Sequence, residues 1–150
     1  MEGFTELDRP ERLERIKAQE TKINGLQATI EAAKFELQEM KRINAIGLNI
    51  QWQDSVKWCM ELNTDVPAYF IKTPAFFSEC IAIKHGVEIT RDMKNKISTT
   101  LSVMFNKGLA GRIEKGTQTY YGSPTFFKKD KEGRLTELKS MYKEWSNKLY

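Results

Sequence analysis

Between Glu11 and Asn44 the chain contains no proline, and its apolar residues return every seven positions at Ile16, Ile23, Ile30 and Leu37. Leu26, Ala33 and Met40 fall between them, so the steps alternate between three and four. A mean spacing of 3.5 residues keeps apolar side chains on one seam of a supercoiled helix, which is the a/d heptad pattern of a coiled coil. Gln19 and Asn44 are polar exceptions at the two ends of the seam. The residues between are mostly Glu, Lys, Gln and Thr, and so narrow an apolar stripe suits one partner helix better than a globular core. The pattern predicts that residues 1–46 are a coiled-coil helix. It would pair as a homodimer through Ile16, Ile23, Leu26, Ile30, Ala33, Leu37 and Met40, with β-branched a residues leaning toward two strands. Gly25 costs such a helix about 1 kcal/mol relative to alanine. An antiparallel hairpin, or a helix folded back on its own domain, is the other arrangement the seam allows.

The rest of the chain is long enough for one small domain. An apolar share of 40% and an aromatic share of 11% can fill a core, which argues against wholesale disorder. No stretch approaches the roughly 20 apolar residues of a membrane span, so no membrane partner is expected. The first ten residues lack the basic lead and apolar run of a secretion signal. Cys59 and Cys80 are too far apart for a zinc motif or a disulfide framework. Two free thiols fit a reducing, cytoplasmic setting. With no phosphate-binding glycine loop, nucleophile elbow or metal set, the sequence predicts neither an enzyme nor a bound metal or cofactor. His85 precedes Gly86 at a predicted helix end, where a structural role is expected.

Past Ile46 a second helix is expected over about Gln51 to Leu62, with Trp52, Val56, Cys59 and Met60 on one face. Ala68 to Lys72 reads as a short strand. Thr73-Pro74 supplies a capping hydroxyl and a first-turn proline, starting a helix that Gly86 would end. Thr90 is the next cap candidate, for a helix over about Arg91 to Asn106 with Met93, Ile97, Leu101, Met104 and Phe105 buried. Gly108 closes that helix. Leu109 to Glu114 and Thr117 to Tyr121 then form a β-hairpin around Lys115-Gly116. Pro124 to Gly133 is a basic, turn-rich stretch. Leu135, Leu138, Tyr142, Trp145 and Leu149 step by three and four, which predicts a C-terminal amphipathic helix from about Arg134.

The segment Ile97-Ser98-Thr99-Thr100-Leu101-Ser102-Val103-Met104-Phe105-Asn106-Lys107-Gly108-Leu109 resembles the recognition helix and helix end of winged helix-turn-helix transcription factors. Thr119-Tyr120-Tyr121-Gly122-Ser123-Pro124 and Phe126-Phe127 are similar to small bacterial and phage proteins that join a coiled coil to such a domain. The resemblance covers roughly residues 51–127 and departs at Val103, where those helices often carry arginine. It implies a mainly α fold with a small β-hairpin: a coiled-coil helix (1–46), a winged helix-turn-helix domain (47–127), and a basic turn with a C-terminal helix (128–150). It also implies binding of duplex DNA, as a dimeric transcriptional regulator or accessory DNA factor.

Charge points the same way. Residues 91–134 carry ten Lys/Arg against four Asp/Glu, whereas residues 46–90 carry three against five. A basic excess held in one segment favours a polyanionic partner. At about 100° per residue, the face of the 91–106 helix opposite Ile97 and Leu101 presents Asp92, Asn95, Lys96, Thr99, Ser102, Val103 and Asn106, with Ser98 at its edge. Asn95 suits adenine, Lys96 suits guanine or phosphate, and the hydroxyls of Ser98, Thr99 and Ser102 suit phosphates or base edges. Asp92 would oppose DNA and is expected to cap the helix. On the hairpin, Arg112, Lys115 and Gln118 are the phosphate or minor-groove candidates, extended by Lys128 and Lys129. The aromatic residues are expected to pack the core. A non-catalytic protein-interaction or assembly module is the alternative function, with a protein partner on the seam. Binding of single strands or RNA is a third.

Overall fold

A computed structural model describes residues 3–150. Met1 and Glu2, the first positions of the expected coiled-coil segment, lie outside the described residues. The chain divides into two compact units, Met1–Ile43 and Asn44–Tyr150.

The first unit is built on α1 (Arg9–Asn44), a 36-residue helix. Its start is a reciprocal cap: Glu11 N donates to Asp8 Oδ1 at 2.9 Å, and Asp8 N donates to Glu11 Oε2 at 3.3 Å. Pro10 lies in the first turn, where a missing N–H costs nothing. Gly25 does not interrupt the helix. No residue of α1 is buried, and Ile16, Ile23, Leu26, Ile30, Ala33, Leu37 and Met40 are all exposed. The seam is therefore open. Asn44, the last helical residue, belongs to the second unit. Its amide donates to the carbonyls of His85 (2.8 Å) and Gly86 (3.1 Å), so a polar residue stands where the seam ends.

The second unit runs α2 (Trp52–Met60), β1 (Ile71–Lys72), α3 (Pro74–His85), α4 (Arg91–Asn106), β2 (Gly111–Lys115), β3 (Gln118–Gly122), β4 (Phe127–Lys129), β5 (Leu135–Leu138) and α5 (Ser140–Lys143). The expected punctuation holds at α3 and α4. Thr73 Oγ1 accepts from Phe76 N, and Thr90 Oγ1 accepts from Met93 N. Gly86 ends α3 in the left-handed region with φ +64°, and Gly108 does the same after α4 with φ +74°. β1, β3 and β2 form an antiparallel sheet in that order, with Lys72 opposite Tyr121 and Arg112 opposite Tyr121 from the other side.

Strand alternation gives the sheet two different faces. Tyr121 enters a helical core of Val56, Phe77, Ile81, Ile97, Leu101 and Phe105. Tyr120, its neighbour, points the other way into a second core with Phe70, Ile71, Phe126, Phe127, Leu135 and Leu138. Tyr142, Trp145 and Leu149 close this second core, where Phe70 meets Trp145 edge-on with ring centroids 5.4 Å apart.

The C-terminal region corrects the sequence reading. No long helix starts at Arg134. Residues 127–138 form the β4–β5 hairpin, followed by the four-residue α5 and a 3-10 turn at Trp145–Lys148. The turn is held by Asp130, whose Oδ1 accepts from the N–H of Glu132 and Arg134 while Oδ2 accepts from Thr136 Oγ1. These bonds hold the Asp130 carboxyl below the usual carboxylate range, the backbone N–H of Arg134 contributing most. A register shift explains the misleading spacing. Lys128 faces Glu137 but Lys129 faces Leu135, so one residue of β5 is extra. A bulge of this kind breaks two-residue alternation and lets Leu135 and Leu138, three apart, both point inward. A spacing of three, read as helical, here belongs to a bulged strand.

Candidate nucleic-acid interface

α4 is amphipathic in the expected sense. Met93, Ile97, Leu101, Met104 and Phe105 are buried, while Asn95, Lys96, Ser98, Thr99, Val103 and Asn106 are exposed and Ser102 is half-buried. At about 100° per residue, Asn95, Thr99, Ser102 and Asn106 fall within roughly 60° of one another, making one polar line along the helix. Thr100 lies off that line, its hydroxyl turned back onto Lys96 O at 2.7 Å.

Asp92 does not cap α4, because Thr90 does. Asp92 instead pairs with Lys96 one turn on, with Oδ2 and Nζ 3.3 Å apart, an i,i+4 pair readable in the sequence. The Lys96 ammonium also lies 5.8 Å from the centre of the Trp52 ring on α2. Both contacts hold Lys96 at the side of the polar line. Lys94 and Arg91 are exposed on the other side, and Lys107 is exposed just past the helix. These three cations belong to the basic segment 91–134 but not to the helix face opposite Ile97 and Leu101.

The hairpin does not present its candidates together. Arg112 and Lys115 are three apart on one strand, so alternation sends them to opposite faces. The Arg112 guanidinium lies over the Phe105 ring at the end of α4, 4.1 Å from its centre. It also lines a groove with Glu114, Glu137 and Lys143. Lys115 turns toward the C-terminal segment, where Nζ donates to Ser146 O and to Asn147 Oδ1 at 2.8 Å. A third, longer bond reaches Ser146 Oγ at 3.4 Å. Gln118 is exposed and sits opposite Lys115 in register, on the same face. Lys128 is exposed and paired with Glu137 at 3.4 Å, and Lys129 is exposed. Arg112 thus lies on the α4 side of the sheet, and Lys115 lies on the opposite side.

Among the described residues, the edge strand β1 carries a buried charged side chain. Lys72 on β1 is 2% exposed, and its Nζ donates to Met60 O at 3.1 Å. Burial pulls its pKa below the usual lysine value, with the neighbouring Cys59 and Cys80 acting weakly the other way. Burial likewise pushes the Cys59 thiol up. His85 accepts or donates at Nε2 to Ser55 Oγ at 3.0 Å, tying the end of α3 to α2, and partial burial lowers its pKa.

Among the described residues, no group of three or more His, Cys, Asp or Glu side chains comes together to hold a metal, and no helix is long and apolar enough to cross a membrane. What the outer face of α4 offers chemically is a row of uncharged donors and acceptors flanked by cations. No protein-family model matches the chain, no curated protein matches it in sequence, and no solved structure matches it.

Proposed function

We propose that residues 44–150 form a winged helix-turn-helix domain that binds duplex DNA with α4 as its recognition helix, and that the chain acts as a homodimer paired through the α1 seam. The observation that carries this reading is the division of α4: five buried apolar side chains on one side, and an uncharged hydrogen-bonding line, exposed except for half-buried Ser102, on the other. A major groove accepts such a helix and offers it base edges. Further support comes from the element order, in which α2, β1, α3 and α4 lead into the β2–β3 hairpin. Lys94, Lys96 and Lys107 supply the phosphate contacts on which most of the affinity would rest. A transcriptional regulator or an accessory DNA factor is the role that fits.

Fluorescence anisotropy of mixed-sequence duplexes at two salt concentrations tests it. Binding is expected to weaken steeply as salt rises, because each neutralised phosphate releases counterions. Lys96→Glu, which leaves two acidic side chains one turn apart, is expected to remove binding without changing the helical circular dichroism. Wild-type affinity in that variant would reject the α4 face.

The commitment of Arg112 and Lys115 to contacts inside the fold favours one other reading, a protein-interaction module of the same fold. Absence of duplex binding at low salt, with a protein partner recovered through residues 11–44, would establish it instead.

A further inference from the structure

The polar line of α4 has a composition that selects among base pairs. Its members are Asn95, Thr99, Ser102 and Asn106, with no arginine or lysine among them. Guanine is most often read by the bidentate donors of arginine or by lysine, and neither stands among these four; the nearest cation is Arg91, the first residue of the helix, one turn before Asn95 and about 40° from it. Lys96 is drawn aside by Asp92 and Trp52, and Arg112 lies against Phe105. Lys94 lies about 110° from the centre of the line. An asparagine side chain matches the N6 donor and N7 acceptor of adenine, a pairing no other base offers in the major groove. Beside the line stands Val103, 38% exposed at a position where water would favour a polar residue. An exposed aliphatic side chain in a major groove has one apolar feature to meet, the C5-methyl of thymine.

We infer that α4 reads A·T base pairs, with Asn95 bonding the adenine N6/N7 edge and Val103 packing on a thymine methyl about 12 Å further along the helix. This rests on the duplex-DNA reading above. Thr99 and Ser102, between the two, accept or donate at either base and so add little selectivity.

The experiment is a selection of randomised duplexes by the full chain at low salt. It is followed by anisotropy titration of the recovered duplex and of a copy in which uracil replaces thymine. A·T pairs are expected at the enriched positions. Asn95→Ala is expected to lose roughly 5- to 150-fold of discrimination at one of them, the range for a single bidentate contact. The uracil copy is expected to bind the wild type more weakly, and Val103→Ala to bind both copies alike. Enrichment of G·C pairs at those positions, or equal binding of the thymine and uracil duplexes by the wild type, overturns the inference and leaves the duplex-DNA reading standing. Failure to bind any duplex at low salt overturns both.

Discussion

The ring of Phe127 occupies the space that a side chain on Gly111 would fill. A β-carbon built on Gly111 overlaps the ring carbons, and one built on the facing Gly122 falls against Ile71. The pairing of two glycines across β2 and β3 lets an aromatic side chain from β4 lie directly on the sheet backbone. In this way the second core, led by Phe70, Phe126 and Phe127, is seated against strands whose other face carries the helices. Glycine here serves close approach and not backbone conformation, since neither residue has a positive φ.

Gly111→Ala is therefore expected to behave as an overpacked core substitution, costing about 1–3 kcal/mol in urea denaturation. Phe127→Leu is expected to recover part of that loss when combined with it, because the two side chains compete for one space. Additive losses in the double variant would show that the contact does not set the cost.

Lys115 is expected to stabilise the C-terminal segment and to make no phosphate contact. Lys115→Met should lower stability by about 1 kcal/mol, since the Ser146 carbonyl and the Asn147 amide lose a charged donor. It should also speed amide exchange at residues 145–150. The slope of log affinity against log salt should stay unchanged, whereas loss of one phosphate contact would reduce it by about 0.9. A shallower slope would return Lys115 to the interface.

The buried amine of Lys72 gives a dependence on pH with a definite sign. Its folded pKa is below the ordinary 10.5, so between the two values the unfolded chain binds more protons. Stability contributed at this position consequently rises with pH through that window, and the cost of the buried charge is fully present below the folded value. The stability difference between wild type and Lys72→Met, measured by denaturant titration from neutral pH upward, is expected to move in favour of the wild type as pH increases. A difference that stays constant over the window would mean the amine keeps its ordinary pKa.

Seven exposed seam residues on α1 carry the homodimer proposal. Ile23→Asp with Ile30→Asp places charges at two a positions and is expected to yield a monomer in sedimentation equilibrium. The near-ultraviolet circular dichroism of residues 44–150 should be unchanged, because the aromatic core is made within that unit. A wild-type chain that sediments as a monomer at tens of micromolar would remove the seam from the proposed function.

The elements legible in the residues were those whose signals are local. α1 follows from periodicity, α3 and α4 from periodicity together with caps at Thr73 and Thr90, and the β2–β3 hairpin from Gly116 between two β-prone runs. The buried residues of α4 were likewise set by its 3.6-residue repeat. Three matters were decided only by packing. Leu135 and Leu138 have the spacing of a helix, and the bulge opposite Lys128 and Lys129 makes that spacing a strand's. Lys115 looks like any hairpin lysine until the C-terminal segment, 31 and 32 residues on, brings Ser146 and Asn147 to its ammonium. Lys72 reads as a solvated strand end until α2 lays the carbonyl of Met60 over it. Dihedral preference and hydrophobic period act over a few residues and so can be read along the chain. The partner of a charged side chain is chosen by whatever the fold brings within about 3 Å, and no distance along the sequence encodes that.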